Sequence, residues 1–194
     1  HPLAEFESTL RRLVTHFVAE LDEERDFGAE VVLAGIIQDF KNLKTKKEEQ
    51  MASFSLEDLT GRVEVVAFPD AFKKHYDLIR EDLKVWLKGK FIGEGEARKV
   101  QLTAVMQLDD ALQKLAKRVV LRVFLPGLEG VTLEELKGIL QKNSGECPLV
   151  FELETPLSSR VITQSPDFKG LTPTPSAVKA LETLLGAGTV IVEY

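Results

Sequence analysis

Residues 41–50, KNLKTKKEEQ, contain four lysines within seven positions: Lys41, Lys44, Lys46 and Lys47. Ammonium groups at this spacing can contact successive phosphates of a nucleic-acid backbone, because each contact neutralises a phosphate charge and releases a counterion. The adjacent Glu48 and Glu49 favour the alternative, a solvated loop of mixed charge. We interpret the four lysines as candidate phosphate contacts.

Two side chains that could hold a nucleobase follow in the third of the strands predicted below. Phe68 offers a ring for base stacking, and Arg62 offers a guanidinium for a phosphate or a base plane. Each such stack is worth about 1–3 kcal/mol. Burial of Phe68 under a neighbouring element is the alternative.

Trp86 shares a predicted strand face with Lys84, Lys88 and Lys90, which makes it another candidate for base stacking. Because a Trp buries a large apolar area, packing under the N-terminal helix or a second domain is the alternative. Arg98, in the predicted loop of residues 93–98, completes the candidate nucleic-acid-binding set.

The chain lacks the residue patterns typical of catalysis or metal binding. His1, His16 and His75 are isolated, without the paired spacing of a zinc site, and we expect His75 on an exposed helix face. The lone Cys147 excludes a disulfide within the chain. We therefore predict no catalytic residue, no metal and no cofactor in this chain.

The elements that must position the candidate residues follow from side-chain periodicity. Period-two alternation and apolar runs predict five strands, and helical spacing predicts a helix between the third and the fourth. Asp58 and Gly61 supply turn chemistry between the second and third strands. The predicted strands are residues 31–39, 50–56, 62–68, 84–91 and 99–105, and the predicted helix is residues 70–79.

Five strands with this helix position are the plan of an OB-fold, a small Greek-key barrel. Such barrels bind oligonucleotides across strands two and three, between the loops that join strands one to two and four to five. Residues 40–49 and 93–98 occupy those two loops here. The lysines would therefore border the binding face.

Charge distribution decides whether an acidic chain can still bind phosphate. The chain has a formal net charge of −6, but residues 29–108 contain thirteen acidic and thirteen basic residues. The excess acid lies in residues 1–28, at −4, and in residues 109–194, at −2. We expect weak, salt-sensitive binding at a local basic edge.

The regions on either side of the barrel have patterns of their own. Residues 3–21 have the apolar spacing of one amphipathic helix, followed by a connector to residue 28. Residues 109–194 predict a linking helix and then a βαββαβ order, typical of a ferredoxin-like domain. The predicted elements after the barrel are residues 109–117, 119–125, 133–143, 149–154, 159–163, 175–185 and 190–194, with Thr132 capping the second helix.

The fold class is thus a five-stranded OB-fold, residues 29–108, preceded by a helical segment, residues 1–28, and followed by an α+β domain, residues 109–194. No run approaches the ~18 apolar residues of a membrane helix, and the start is no signal peptide. We expect a cytoplasmic protein without membrane partners. The chain opens without Met, and we expect it to be a fragment or a processed piece.

Four stretches resemble the C-terminal part of the α subunit of bacterial DNA polymerase III, the C-family replicative polymerase. They are His1-Pro2-Leu3, residues 31–35 (VVLAG), Thr45-Lys46-Lys47, and residues 54–68 (FSLEDLTGRVEVVAF). The last is similar to the family's Leu-Glu/Asp-Asp-x-x-Gly-x-Glu-Val pattern. Glu48 stands where the family usually has Gly after the loop lysines, which bears on the turn and adds a negative charge.

The resemblance implies a non-catalytic part of a DNA-directed DNA polymerase, a nucleotidyltransferase of DNA replication. The barrel would bind single-stranded template DNA, and the C-terminal domain would bind the τ subunit of the clamp loader in the replisome. The sliding clamp would bind an adjacent region that is absent here. Two alternatives remain open, an anticodon-binding OB module of a tRNA synthetase and a protein-interaction adaptor without nucleic-acid affinity.

Overall fold

The alternating stretch folds into a closed barrel, as predicted. The computed structural model describes residues 2–93, 95, 98–128, 130–157 and 160–194. The barrel strands are β1 (Glu30–Lys44), β2 (Gln50–Glu57), β3 (Arg62–Ala67), β4 (Lys84–Ile92) and β5 (Lys99–Gln107). Their order around the barrel is β1-β2-β3-β5-β4, and β4 pairs with β1 to close it. Together with a helix between β3 and β4, this order is that of an OB-fold.

Period-two alternation explains which side chains fill the barrel. On β2 the inward residues are Ala52, Phe54 and Leu56, each at most 1% exposed. On β3 they are Val63 and Val65, which pair across the ladder with Leu56 and Phe54. Because successive side chains of a strand point to opposite faces, the residues between them face outward. The predicted faces of β2 and β3 are therefore confirmed.

One glycine marks where two strands come unusually close. Gly89 lies at a bulge in the β4–β5 ladder. A Cβ atom built there would lie 2.6 Å from the carbonyl oxygen of Gln101, far inside van der Waals contact. The close approach therefore requires the residue that has no side chain.

The helix between β3 and β4 is shorter than predicted. Helix α3 comprises Pro69–His75, and a 3₁₀ turn, Tyr76–Leu78, continues it. Pro69 is at the first helical position, where its missing N–H costs nothing. The buried Phe72 and Ile79 join the barrel core, whereas Tyr76 between them is 62% exposed.

The predicted 19-residue N-terminal helix is wrong in extent. Helix α1 comprises only Glu7–Leu13, after a 3₁₀ turn over Ala4–Phe6. At Val14 the chain becomes extended, because Thr15 pairs with β1 at Val32, along the edge that β2 joins only from Ile36 onward. The Thr15 N–H donates to the carbonyl of Val32 at 3.0 Å, and the Val32 N–H donates to Thr15 Oγ1 at 2.8 Å. Tertiary hydrogen bonds thus end a helix that its apolar spacing would continue.

The connector before β1 contains a short helix, α2 (Glu23–Asp26), capped by Asp22. Asp26 is buried at 5% exposure and accepts hydrogen bonds from the Arg25 guanidinium at 2.9 Å. These bonds, with the backbone N–H of Asp22, lower the pKa of Asp26 to about 2. Asp26 therefore stays ionised in the folded chain at neutral pH.

The second unit begins within helix α4, Leu108–Lys114, since the chain divides into His1–Ala111 and Leu112–Tyr194. Its helices α5 and α6 pack on one sheet face around Leu121, Leu140 and Leu181. The remaining elements are β6 (Arg118–Phe124), α5 (Gly130–Lys142), β7 (Ser144–Glu154), β8 (Arg160–Thr163), β9 (Gly170–Leu171), α6 (Pro175–Leu185) and β10 (Val190–Glu193). None of the described helices is long and apolar enough to span a bilayer.

The predicted βαββαβ element order is confirmed, with a small extra strand, β9, but the ferredoxin-like strand arrangement is not. The sheet order is β10-β6-β7-β8. In a split βαβ unit another strand separates the two parallel strands, whereas here β6 and β7 pair directly in parallel. Because the α5 crossover joins neighbouring strands, β8 lies at the edge of the sheet.

Helix ends in this unit test the capping predictions. Helix α6 has the predicted bounds: Thr174 accepts a hydrogen bond from the Ala177 N–H at 3.1 Å, and Gly186 follows the last turn. Helix α5 begins at Gly130, so the predicted cap at Thr132 is wrong and Thr132 lies within the helix. Residue 159, the first of the predicted strand 159–163, lies outside the described residues.

Candidate nucleic-acid interface

The lysine-rich segment forms the tip of the β1–β2 hairpin. The Thr45 N–H donates to the Glu49 carbonyl at 2.9 Å, and the Glu48 N–H donates to the Thr45 carbonyl at 3.0 Å. Glu48 has φ = +64°, in the left-handed region that favours glycine. The tight turn therefore forms although a glutamate, and not a glycine, occupies this left-handed position.

Only part of the lysine cluster is in a loop. β1 extends to Lys44, so Lys41 and Lys44 are strand residues, and the predicted ten-residue loop is shortened to residues 45–49. Lys44 Nζ lies 2.8 Å from Glu48 Oε2, which partly neutralises it. Lys46 and Lys47 are exposed, and within the described residues neither is in an ion pair. Their assignment as phosphate contacts remains a prediction.

An apolar strip crosses the outer face of the barrel next to this hairpin. Leu43 on β1 pairs directly with Met51 on β2, and Lys41 pairs with Ser53. Leu43 is 41% exposed, and so is Phe68, which follows β3 at the start of α3. Phe68 is therefore not buried under a neighbour, and a base could reach its ring. The lysine tip and these apolar side chains lie along the same end of the β1–β3 sheet.

The other end of the same face is acidic. Arg62 Nη2 lies 2.5 Å from Glu57 Oε2, and Arg62 Nη1 lies 3.8 Å from Asp39 Oδ2. Glu64, near the middle of β3, accepts a hydrogen bond from Ser53 Oγ at 2.7 Å. Arg62 is thus held by carboxylates, and a phosphate contact by Arg62 would require their displacement. A bound strand would find its strongest positive potential at the hairpin end.

Trp86 does not belong to this face, so the predicted base stacking by Trp86 is wrong. Its side chain is 4% exposed, and its Nε1–H donates to the carbonyl of Leu13 at 3.3 Å. The outward face of β4 is covered here by the N-terminal segment. The alternative, packing under that segment, is confirmed.

Arg98 lies on the surface just before β5. Its backbone N–H donates to the Gly95 carbonyl at 3.3 Å. The predicted loop 93–98 also contains residues 94, 96 and 97, which lie outside the described residues. A phosphate contact by Arg98 remains a prediction.

Asp58, in the stretch FSLEDLTGRVEVVAF, has a structural task. It is 4% exposed, and its Oδ1 accepts from the backbone N–H groups of Thr60 and Gly61 at 2.7 and 3.0 Å. Its Oδ2 accepts from the Val18 N–H at 2.6 Å. The turn prediction is confirmed, and the second link was missed because it joins residues forty positions apart. The carboxylate therefore both forms the β2–β3 turn and anchors the N-terminal segment.

His75 was predicted to lie on an exposed helix face, and this is wrong. The residue is half-buried at the end of α3, and its Nε2 has no hydrogen-bond partner among the described residues. Burial, together with the neighbouring Lys74, lowers the pKa of His75. The imidazole is therefore a neutral packing residue at pH 7, placed there by α3.

Within the described residues, no three His, Cys, Asp or Glu side chains are grouped so that they could hold a metal ion. Cys147, in β7, is half-buried, and burial raises the pKa of its thiol. A raised pKa lowers the thiolate fraction at neutral pH, so this geometry does not activate the sulfur as a nucleophile.

Comparison with known families bears on the barrel first. The tRNA anti-codon family model, described as "OB-fold nucleic acid binding domain", matches residues 31–105. This match begins in β1 and ends in β5, so it includes all five strands of the barrel. The barrel is thus similar to nucleic-acid-binding OB-folds in sequence as well as in strand order.

Two relatives extend the comparison beyond the barrel. The chain is 27% identical over 196 aligned residues to DNA polymerase III subunit alpha of Pseudomonas fluorescens. The alignment covers 100% of this chain and 16% of that protein. It is 37% identical over 151 residues to the same subunit of Aquifex aeolicus, covering 75% of this chain and 13% of that protein.

Over its whole length, the chain is similar to part of the DNA polymerase III α subunit. The predicted resemblance is thereby confirmed. The chain spans only 16% and 13% of the lengths of these two relatives. Among solved structures, asparaginyl-tRNA synthetase from Pyrococcus horikoshii is 20% identical, with a TM-score of 0.38 over 48% of this chain and 22% of that one. That likeness is too weak to support a functional assignment.

Proposed function

We propose that the barrel binds single-stranded DNA as part of a bacterial replicative DNA polymerase. One observation carries the proposal: the hairpin lysines and an apolar strip, the exposed Leu43 and Phe68 with the half-buried Met51, lie at the same end of the outer face. Binding to a single strand needs both, a cationic track for phosphates and apolar surfaces for bases. The similarity to DNA polymerase III α subunits supports DNA as the ligand.

A single strand fits this face better than a duplex. Stacking on Phe68 requires an unpaired base, because in a duplex the base faces are covered by their neighbours. The acidic end around Glu57 and Glu64 opposes a long run of phosphates, so the footprint should be short. Affinity should accordingly be modest and fall with salt.

The test is a fluorescence-anisotropy titration of this chain with single-stranded, duplex and primer–template DNA at two salt concentrations. We expect single-stranded DNA to bind more tightly than duplex of the same length, and affinity to fall at the higher salt. A primer–template should be bound through its single-stranded arm. The same mixtures should show no nucleotide incorporation, since we assign polymerase activity to the rest of the longer protein.

Other outcomes favour the competing functions. Preference for an RNA anticodon stem-loop over single-stranded DNA would favour an anticodon-binding module. Absence of binding to any nucleic acid at low salt would reject the proposal in favour of a protein-interaction adaptor.

We also propose that the second unit binds a protein of the replisome, the clamp-loader τ subunit, and that the longer cytoplasmic protein reaches the sliding clamp through a neighbouring region. The exposed edge of β8 supports a docking role. Val161 and Ile162 are 50% and 74% exposed, and Leu157 before them is 88% exposed. Residues 112–194 contain nine acidic and nine basic residues, so this unit is poorly suited to phosphate. An unprotected edge strand can pair with an extended segment of a partner.

A charge placed on this edge should abolish docking. Ile162→Lys should prevent capture of purified τ without unfolding the unit, because the side chain is already exposed. Leu133→Lys, on the 39% exposed Leu133 of α5, is the matched control and should leave capture unchanged. Equal loss of capture in both variants, or in neither, would contradict the assignment. DNA binding by the barrel should be unaffected in each case.

A further inference from the structure

β1 contains an extra residue just before the lysine-bearing end. In the β1–β2 ladder, Gln38 pairs with Ser55, but the next pair is Lys41 with Ser53. β1 thus advances three positions while β2 advances two, which defines a β-bulge. Asp39, inside the bulge, has φ = +54°, in the left-handed region.

The bulge inverts the alternation of everything that follows it on β1. Ile37 is fully buried in the barrel, and the next residue that packs on the same core is Phe40, three positions on instead of two. Lys41 and Leu43 therefore face outward beside Ser53 and Met51. If the same residues continued β1 as a regular ladder without a bulge, alternation from Ile37 would turn both side chains toward the inner face.

Glu81, in the loop between α3 and β4, holds the bulge. Its Oε1 accepts from the Asp39 N–H and its Oε2 accepts from the Phe40 N–H, both at 3.0 Å. These two donors lie within the register shift, where neither Asp39 nor Phe40 has a partner in the ladder. The carboxylate thus supplies the acceptors that β2 does not.

The same loop is fixed to β1 on the other side of the bulge. The Asp82 N–H donates to the Ile37 carbonyl at 2.9 Å, and the Ile37 N–H donates to the Leu83 carbonyl at 3.0 Å. Gln38 Nε2 donates to Asp82 Oδ1 at 2.9 Å. Glu81 is therefore presented to the bulge by a backbone that cannot move away independently.

We propose that Glu81 is a positioning residue for nucleic-acid binding: it stabilises the bulge that turns Lys41 and Leu43 onto the outer face. Glu81 would act through these two residues without contacting the ligand. That Glu81 fixes the register of β1 follows from the structure alone. That this register matters for DNA binding rests on the function proposed above. The negative charge of Glu81 by itself repels a phosphate, so charge alone predicts tighter binding when Glu81 is removed. The positioning role predicts the opposite, weaker binding.

The test compares Glu81→Ala with Glu81→Gln and with Asp77→Ala. Asp77 is an exposed acid of the barrel unit, and its replacement by Ala removes the same charge. In Glu81→Ala we expect the Asp39 and Phe40 amides to exchange with deuterium at least about tenfold faster. The nuclear Overhauser contact between Leu43 and Met51 should disappear, and single-stranded DNA should bind several-fold more weakly. Glu81→Gln retains one acceptor oxygen and should be intermediate, and Asp77→Ala should bind slightly more tightly than the wild type.

The exchange and Overhauser measurements test the control of register by Glu81, and the DNA titrations test its consequence for binding. Unchanged exchange at Asp39 and Phe40 in Glu81→Ala, or a persistent Leu43–Met51 contact, would overturn the positioning role. Tighter DNA binding by Glu81→Ala, equal to that of Asp77→Ala, would also overturn it, because charge alone would then account for the effect. If the wild-type chain binds no single-stranded DNA but exchange and register change as stated, the binding function fails and the control of register by Glu81 stands. Circular dichroism of Glu81→Ala and Glu81→Gln establishes that both variants in the comparison are folded.

Discussion

Trp86→Ala should lower the free energy of unfolding of the barrel unit by about 3–5 kcal/mol, the usual cost of truncating a large buried aromatic side chain. The indole is 4% exposed, and its N–H is bonded to the Leu13 carbonyl. Truncation therefore leaves a cavity under the N-terminal segment and an acceptor without its donor. Urea unfolding followed by circular dichroism measures the loss, because the variant has no tryptophan for fluorescence.

Trp86→Phe is the matched control, since it keeps most of the apolar volume and loses the donor. We expect it to cost about 1–2 kcal/mol, mostly the hydrogen bond. In the wild type, Trp86 is the sole tryptophan, so its fluorescence reports on this residue alone. Saturating single-stranded DNA should leave that fluorescence nearly unchanged. Strong quenching, with little loss of stability in Trp86→Ala, would show that the indole stacks on a base after all.

Replacing Lys44, Lys46 and Lys47 together with Ala should weaken binding of single-stranded DNA at low salt by at least about tenfold. The slope of log K against log salt should become shallower by about 2, since each phosphate neutralised by a single-strand binder contributes about 0.7. The loss should be independent of base sequence, because ammonium groups contact phosphates and not base edges. Anisotropy titrations at four or more salt concentrations measure both quantities.

A control must remove the same charge elsewhere. Replacing the exposed Lys142, Lys169 and Lys179 of the second unit with Ala should leave the slope unchanged. Glu48→Gly should act in the opposite direction to the lysine variant: it frees Lys44 from its ion pair and places glycine at φ = +64°. An unchanged slope in the hairpin variant, or equal losses in both lysine triples, would show that the hairpin is not the contact.

Much of the architecture follows from local patterns. Alternation on β2 and β3 places Ala52, Phe54 and Val65 in the core, and the structure buries all three. Pro175 and Gly186 predict both ends of α6, because residues that start and stop a helix act within a few positions of its end. The lysines between the first and second predicted strands likewise predict a basic connection there. Such features depend on neighbours in the chain, so sequence alone decides them.

Other features depend on partners that are distant in sequence. Hydrogen bonds between Thr15 and Val32 end α1. The Leu13 carbonyl accepts the Trp86 N–H, and the N-terminal segment covers the side of the barrel that carries Trp86. In the second unit, β6 and β7 pair directly and do not form the split arrangement. Before folding, the apolar face of Trp86 is equally suited to a base or to a helix. Which of them covers it is decided only when the N-terminal segment has docked.

The proposed binding face shows most clearly what local sequence determines and what distant contacts determine. The sequence alone places Lys41 and Leu43 near a turn. Period-two alternation continued from Ile37 would then put both side chains on the inner face of the barrel. The tertiary structure places them outside, because Glu81 accepts the N–H groups of Asp39 and Phe40, 42 and 41 positions before it, which an extra residue leaves unpaired in the ladder. One inserted residue reverses every later side chain of a strand, and no local propensity encodes the carboxylate that stabilises it.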